Sequence, residues 1–266
     1  VFQYGQRPDT GYTQVQDTYI SREGDVTANY GLDPVLAVGA KDSQAALLRF
    51  DLTRIPSWAT VHSAELSLFA DRASIGFPLA LRGYQLLRPW VETEATWLNA
   101  TRNIRWSAPG ANGLGVDCVV TGTEALTVSS ISDWYTLDVT AMTSWWVANP
   151  EENYGVILKG IPGPQVTYDF VSSQFPIVPA AVFRPKLTVA YTLPEGPTPT
   201  ATNTRTPTPT ATRSYTYLPV ILSLYEPPPT ATPTATPEIP PTATATRTET
   251  LTPTHTAAPT RTPTRT

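Results

Sequence analysis

Residues that build catalytic and metal centres are scarce in this chain. Of 266 residues one is Cys and two are His. The lone Cys118, in Gly115-Val116-Asp117-Cys118-Val119-Val120, makes no intrachain disulfide; it reads as a small buried thiol, with an interchain bridge as the alternative in an oxidising compartment. His255 lies among Thr and Pro near the end, so His62, in a segment leading into a strand, is the one histidine of the remainder. A zinc cage needs about three or four nitrogen and sulfur ligands, more than one His and one Cys supply. A nucleophilic triad would have to run through His62, and no nucleophile elbow accompanies it. Phosphate-binding loops and dinucleotide fingerprints are missing as well. With 18 Lys and Arg against 22 Asp and Glu, no basic stripe offers itself to nucleic acid. No apolar run approaches a membrane span. Glu92 and Glu94 are the remaining route to catalysis, as two carboxylates on one strand face, and solvated residues of a polar connection are the alternative. The expectation is a non-enzymatic chain that needs no cofactor.

What is present divides unevenly. Residues 1–193 hold all seven Trp and all seven Phe, whereas 41 of the 73 residues from 194 to 266 are Thr or Pro. Such a stretch buries too little apolar surface to fold alone, so one globular domain with an extended appendage is expected. Within the first part, short alternating runs recur. In Ala64-Glu65-Leu66-Ser67-Leu68-Phe69 the residues Ala64, Leu66 and Leu68 share one face. In Lys186-Leu187-Thr188-Val189-Ala190-Tyr191 the expected inner row is Leu187, Val189 and Tyr191. Period two marks half-buried strands. Further strands are expected at 35–38, 46–52, 79–87, 125–128, 135–139, 154–158 and 166–171. About nine strands between Gly, Pro, Asn and Asp turns predict an all-β, antiparallel sandwich. Thr140–Ala148 follows Asp138 and ends before Asn149-Pro150, which predicts one short helix; its Trp145 and Trp146 are expected as lids on the core, with a ligand platform as the alternative.

Several segments together resemble a known family. They are Asp17-Thr18-Tyr19-Ile20, Asn29-Tyr30-Gly31, Leu47-Leu48-Arg49-Phe50-Asp51-Leu52 with Ile55-Pro56, and Ala64-Glu65-Leu66-Ser67-Leu68. Trp90-Val91-Glu92 with Thr96-Trp97, Leu137-Asp138-Val139-Thr140, Asn153-Tyr154-Gly155 and Arg184-Pro185-Lys186-Leu187-Thr188-Val189 follow in order. The stretch from 17 to 193 thereby resembles the DNRLRE (disaggregatase-related repeat) domain, grouped with carbohydrate-binding module family 96. The resemblance implies a jelly-roll β-sandwich in an extracellular protein, usually non-catalytic, with glycan binding in some members. On this reading residues 1–16 are an N-terminal extension and 17–193 the jelly-roll domain.

Three sets of side chains are candidates for binding. Trp90, Glu92, Thr96 and Trp97 form either a sugar platform or a structural corner whose carboxylate serves backbone N–H groups. Asp17, Asn29, Asp51 and Asp138 recur at strand ends, as hard oxygen ligands for a structural Ca²⁺ or as turn caps. Arg72, Arg82, Arg88, Arg102 and Arg105 could meet an acidic polysaccharide, but the net negative charge favours scattered surface charge.

All 25 Thr after residue 193 stand at even positions. Either a Thr-Pro-Thr-Ala unit has been duplicated into a mucin-like spacer, or the chain is held extended with hydroxyls on one face. O-glycosylation is expected at Thr198, Thr200, Thr202, Thr204, Thr206, Thr208, Thr210, Thr212, Thr230, Thr232, Thr234, Thr236, Thr242, Thr244, Thr246 and Thr248. Between a linker (194–214) and the Thr/Pro-rich tail (226–266) lies an apolar island, 215–225. Its Leu218, Val220, Leu222 and Leu224 form one period-two row, with Tyr217 on the other face. Full burial of that row would contribute about 6–12 kcal/mol before entropy costs. The linker spans about 65 Å as polyproline II, against about 35–40 Å for the domain, so the island can reach its own sheet or a neighbour's.

The sequence therefore predicts a secreted cell-surface protein without a membrane span, whose Val1 follows a trimmed leader. Its leading function is a filament subunit that donates strand 215–225 to another copy, a homopolymer. The alternative is a polysaccharide-binding module tethered by a mucin-like linker. If the even-numbered tail Thr carry sugars, protein from its native source will exceed the mass of its sequence by intact-mass spectrometry; a native mass equal to the sequence mass refutes the assignment.

Overall fold

A computed structural model describes residues 1–176 and 180–194 of the chain. The linker from residue 195, the island with Tyr217, Leu218, Val220, Leu222 and Leu224, and the tail Thr lie outside the described residues. The strands are β1 (Phe2–Gln3), β2 (Val15–Ser21), β3 (Val35–Gly39), β4 (Gln44–Phe50), β5 (Thr60–Ala73), β6 (Leu79–Gln85), β7 (Asn99–Thr101), β8 (Ile104–Arg105), β9 (Leu126–Val128), β10 (Asp133–Asp138), β11 (Val156–Gly160), β12 (Thr167–Val171) and β13 (Lys186–Thr192). The one α-helix among the described residues, α1, spans Thr140–Ala148 as expected.

One sheet joins β1, β13, β5, β12 and β3, with β10 also paired to β5; the other runs β2-β4-β11-β6-β9. Every pairing within the two sheets is antiparallel. From β2 to β6, and again from β9 to β12, the chain alternates between the sheets, the winding of a jelly roll. The all-β jelly-roll expectation holds. Leu36, Leu66, Leu68, Phe170 and Leu187 of the first sheet meet Ala46, Leu48, Val156, Leu158 and Leu81 of the second in the main core.

The second sheet is buried on its other face too. There Ile20, Ala45, Leu47 and Ile157 pack under a lid made from residues 86–118, which brings Leu86, Trp90, Trp97, Trp106, Ala111 and Cys118. This is why β4 reads Ala45-Ala46-Leu47-Leu48 without alternation: both faces are dry. A buried indole hides about 150–250 Å², so at about 25 cal/mol per Å² each lid Trp contributes about 4–6 kcal/mol before entropy costs. Cys118 is a free, buried thiol, and His62 is exposed on β5, hydrogen-bonded to Thr192 at 2.9 Å.

Two details depart from the sequence reading. Residues 1–16, expected as an extension, are folded onto the sandwich. Phe2 pairs with Leu187, and Phe2, Tyr12 and Val15 enter the main core. In β13 the inner row ends early: Leu187 is buried, Val189 half-buried and Tyr191 exposed. The register slips between Ala190 and Tyr191, where His62 is the extra residue on β5; β13 keeps its alternation, and its row grows more exposed toward the strand's end.

Two glycines of the family-like segments hold close backbone approaches. A Cβ on Gly31 would stand 2.2 Å from the Glu92 carbonyl oxygen; on Gly155, where φ is +80°, it would stand 2.1 Å from the Leu48 carbonyl oxygen. Gly155→Ala is therefore expected to cost about 2–4 kcal/mol in denaturant unfolding, through steric conflict and backbone strain together; a loss below about 0.5 kcal/mol would refute that account.

Candidate functional site

The W-x-E-x-x-x-T-W cluster is a structural corner. Trp90 is 2% and Trp97 8% exposed, so neither ring offers a face to a sugar. Trp90 Nε1 donates to the Tyr154 carbonyl at 2.8 Å, and Thr96 Oγ1 accepts from the Leu98 and Asn99 N–H groups. Glu92 Oε1 accepts the Asp17 N–H of β2 at 2.9 Å and faces Gln174 Nε2 at 3.3 Å. β2 is an edge strand, and a carboxylate on its free N–H both satisfies that donor and blocks further pairing. The partner carboxyl, Glu94, accepts the Arg102 N–H at 2.8 Å, so the two acids serve separate backbone donors.

The four candidate Ca²⁺ ligands are not gathered. Asn29 Nδ2 donates to the carbonyls of Glu92 and Ala95, both at 2.8 Å. Asp51 accepts the Thr53 N–H and Asp138 the Thr140 N–H, each at 2.8 Å, as turn caps. Asp17 is buried and accepts the Ser173 N–H at 2.7 Å and the Ser173 hydroxyl at 3.0 Å. Among the described residues no cluster of three or more His, Cys, Asp or Glu is placed to hold a metal ion.

Burial pushes the Asp17 carboxyl up to about 7, and the nearby Glu92 charge adds to this, against the opposing Ser173 N–H. Glu92 is raised as well, again mainly by burial. Glu92 and Asp51 do share a polar cleft of about 530 Å³ with Arg49, Gln16, Asn153 and Gln174. Its groups are engaged with one another or with backbone, as in the 2.6 Å bond from Arg49 to Gln16, the 3.3 Å contact of Gln174 with Glu92 and the bond from Asn153 to the Phe50 carbonyl. The candidate arginines are likewise engaged: Arg88 with Asp117 at 3.0 Å, Arg82 of β6 with the Thr123 carbonyl at 2.9 Å, Arg102 with Glu94, and Arg72 of β5 with Asp71 and Asp169. Arg105 is exposed on β8.

A larger groove of about 1080 Å³ opens elsewhere, between the segment 119–126, β10 and α1. It follows from the helix geometry. Thr140 Oγ1 accepts the Ala64 N–H at 2.9 Å, pinning the first turn of α1 to β5. Successive helical residues are about 100° apart, so Met142, Thr143, Trp146 and Val147 face the core while Ala141, Ser144 and Trp145 face out. The expectation of two lids is thus corrected. Trp146 is 4% exposed and closes the core; Trp145 is 47% exposed and lines the groove.

Opposite lie Val120, Thr121, Thr123 and Glu124, on a segment tied to β6 by the Thr123 N–H to the Gly83 carbonyl (2.9 Å) and the Val119 N–H to the Gln85 carbonyl (2.9 Å). Asp138 contributes a carboxylate held below the usual range by the Thr140 hydroxyl and N–H. The lining includes two acids, Glu124 and Asp138, and neither Lys nor Arg. The sequence reading missed this groove. Its one signal was the adjacency of two Trp on a helix too narrow to bury both. Trp58, 68% exposed before β5, is the other open indole, and it lines none of these cavities.

The groove thus sets one indole, Trp145, opposite carboxylates and hydroxyls on a two-sheet β-sandwich. The sequence model of Carbohydrate-binding module family 96 matches residues 8–107, so this part of the sandwich is similar to modules of that family. The match supports a carbohydrate-binding module; most of the groove is built by residues that follow it. Comparison with curated proteins finds no match. No helix among the described residues is long and apolar enough to cross a membrane.

Asp17 sets a pH test. A carboxyl whose folded pKa lies above its unfolded value binds more protons in the native state, so its contribution to stability declines as pH rises from about 4 to about 7. Asn mimics the protonated carboxyl, with an oxygen for the Ser173 N–H and an amide for its hydroxyl. Relative to wild type, Asp17→Asn is expected to gain about 1–3 kcal/mol in urea unfolding between about pH 5 and pH 8. An unchanged difference over that range would refute the assignment.

Proposed function

We propose that this domain binds carbohydrate without cleaving it, and that the groove beside Trp145 receives a neutral polysaccharide chain. The observation that carries the reading is the half-exposed Trp145 indole on a groove whose other wall holds Glu124, Thr121 and Thr123. Sugar rings present C–H faces that stack on an indole and hydroxyls that donate to carboxylates, so one apolar wall and one acidic rim suit them. Two acids without a lining cation repel uronate and sulfate groups, which selects neutral chains. Glu92 and Glu94, bound to the backbone N–H groups of Asp17 and Arg102, fit structural duties better than acid–base work. A module of this kind works outside the cell or at its surface, where polysaccharide is met. The filament reading draws no support from the family match or from the described residues, whereas carbohydrate binding draws on both.

Native affinity electrophoresis of the full chain in gels of neutral and of anionic polysaccharides tests this. Retardation is expected in a neutral gel; Trp145→Ala should weaken it at least about tenfold, as loss of one stacking anchor does, with unchanged thermal unfolding because the ring is half outside the core. Trp58→Ala should leave retardation intact. Retardation by no polysaccharide would overturn the function. Equal retardation of the Trp145 variant would overturn the groove, and selective loss in the Trp58 variant would move the site to that turn.

A further inference from the structure

Lys159 sits on β11 with its side chain under the lid, on the same face as Ile157, and is 7% exposed. Its Nζ donates to the carbonyls of Gly110 at 3.0 Å and Ala111 at 2.9 Å, and to the side-chain oxygen of Asn112. No carboxylate among the described residues lies within ion-pair distance of it. A buried ammonium with dipoles but no counter-charge is costly, which favours the neutral amine, a nucleophile that donates to two of these three oxygens at a time and keeps its lone pair. Burial accordingly lowers its pKa, against the charges of Cys118, Asp42 and Asp117.

An amine hydrogen-bonded to an amide oxygen lies one bond from an electrophilic carbon. The groups around it are suited to acid–base help. Lys159, Asn112 and Asp42 line one cavity of about 240 Å³ together with Tyr84 and Cys118. Burial raises the Asp42 carboxyl, although Lys159 and Arg22 oppose it, so this acid can hold a proton. Asp117 is otherwise occupied, accepting from the N–H groups of Ser107, Ala108 and Gly113 and from Arg88.

We propose that Lys159 and Asn112 become joined by an isopeptide bond that forms in the folded domain. The Nζ lone pair attacks Asn112 Cγ, and the carbonyl π electrons move onto Oδ1. As they return, the Cγ–Nδ2 bond breaks. The proton lost by Nζ passes to the departing nitrogen, which leaves as ammonia; Asp42 lines the same cavity without touching Nζ and assists this transfer across it. One C–N bond replaces another, Asp42 ends as it began, and no oxidant or cofactor takes part. The Asn112 Nδ2 donates to the Pro109 carbonyl at 2.8 Å, which fixes the amide plane for attack. The product ties β11 to the lid, the element that covers the outer face of the second sheet and, with one Cys in the chain, has no intrachain disulfide to secure it.

The test is the intact mass, under denaturing conditions, of the full chain made in a host that adds no sugars. Wild type is expected one ammonia lighter than its sequence, with residues 112 and 159 recovered in one branched peptide after proteolysis. Asn112→Ala and Lys159→Met should each show the full mass of their sequences, and Asp42→Asn should leave most of the chain unjoined. A wild-type mass equal to the sequence, or ammonia loss that persists without Asn112 or Lys159, overturns the bond; complete joining in the Asp42 variant overturns the role of that acid. Wild type alone decides the main point even where a variant does not fold.

Discussion

Burial of the second sheet on both faces is the constraint from which most of this structure follows. β4 and β11 cannot alternate polar and apolar residues, because Leu48 and Val156 face one core while Leu47 and Ile157 face another. The second core has to be roofed, and a lid with only one short hairpin of regular structure, β7–β8, must bring both bulk and backbone partners. Trp90 and Trp106 supply both, since each fills volume while its Nε1 satisfies a carbonyl, of Tyr154 and Thr96 respectively. Asp117 does the same for three lid N–H groups.

The same constraint accounts for the polar residues of the family-like segments. Asp17, Asn29, Glu92 and Ser173 form a chain of hydrogen bonds where the edge strand β2, the loop after it and the lid converge. Each ties backbone groups that would otherwise be buried or left open to pairing. Residues that look like ligands for a sugar or an ion are spent on holding the sandwich closed, and the proposed recognition surface is one that the architecture leaves free. That surface lies beside α1, where one helical step separates the Trp that seals the core from the Trp that faces solvent.

Function follows the same division. Carbohydrate binding is supported by the match over residues 8–107 and by an acidic, aromatic groove, two independent lines. The filament reading rests on the parity of the tail and on the island around Leu218 and Val220, which lie outside the described residues.

The sequence by itself determined the all-β sandwich, the helix at Thr140–Ala148 and the inward row of Ala64, Leu66 and Leu68, because hydrophobic period and turn chemistry are local and survive without knowledge of neighbours. It also pointed to the corner role of the Trp90–Trp97 cluster as one of two readings. The fate of Tyr191, the incorporation of residues 1–16, the splitting of Trp145 from Trp146 and the meeting of Lys159 with Asn112 were decided only by the tertiary structure. Each depends on a contact between residues far apart in the chain, or on which side of an element happens to be covered. No local pattern encodes that: a strand's inner row stays covered only as far as its neighbours reach, and a lid turns an outer face into a core.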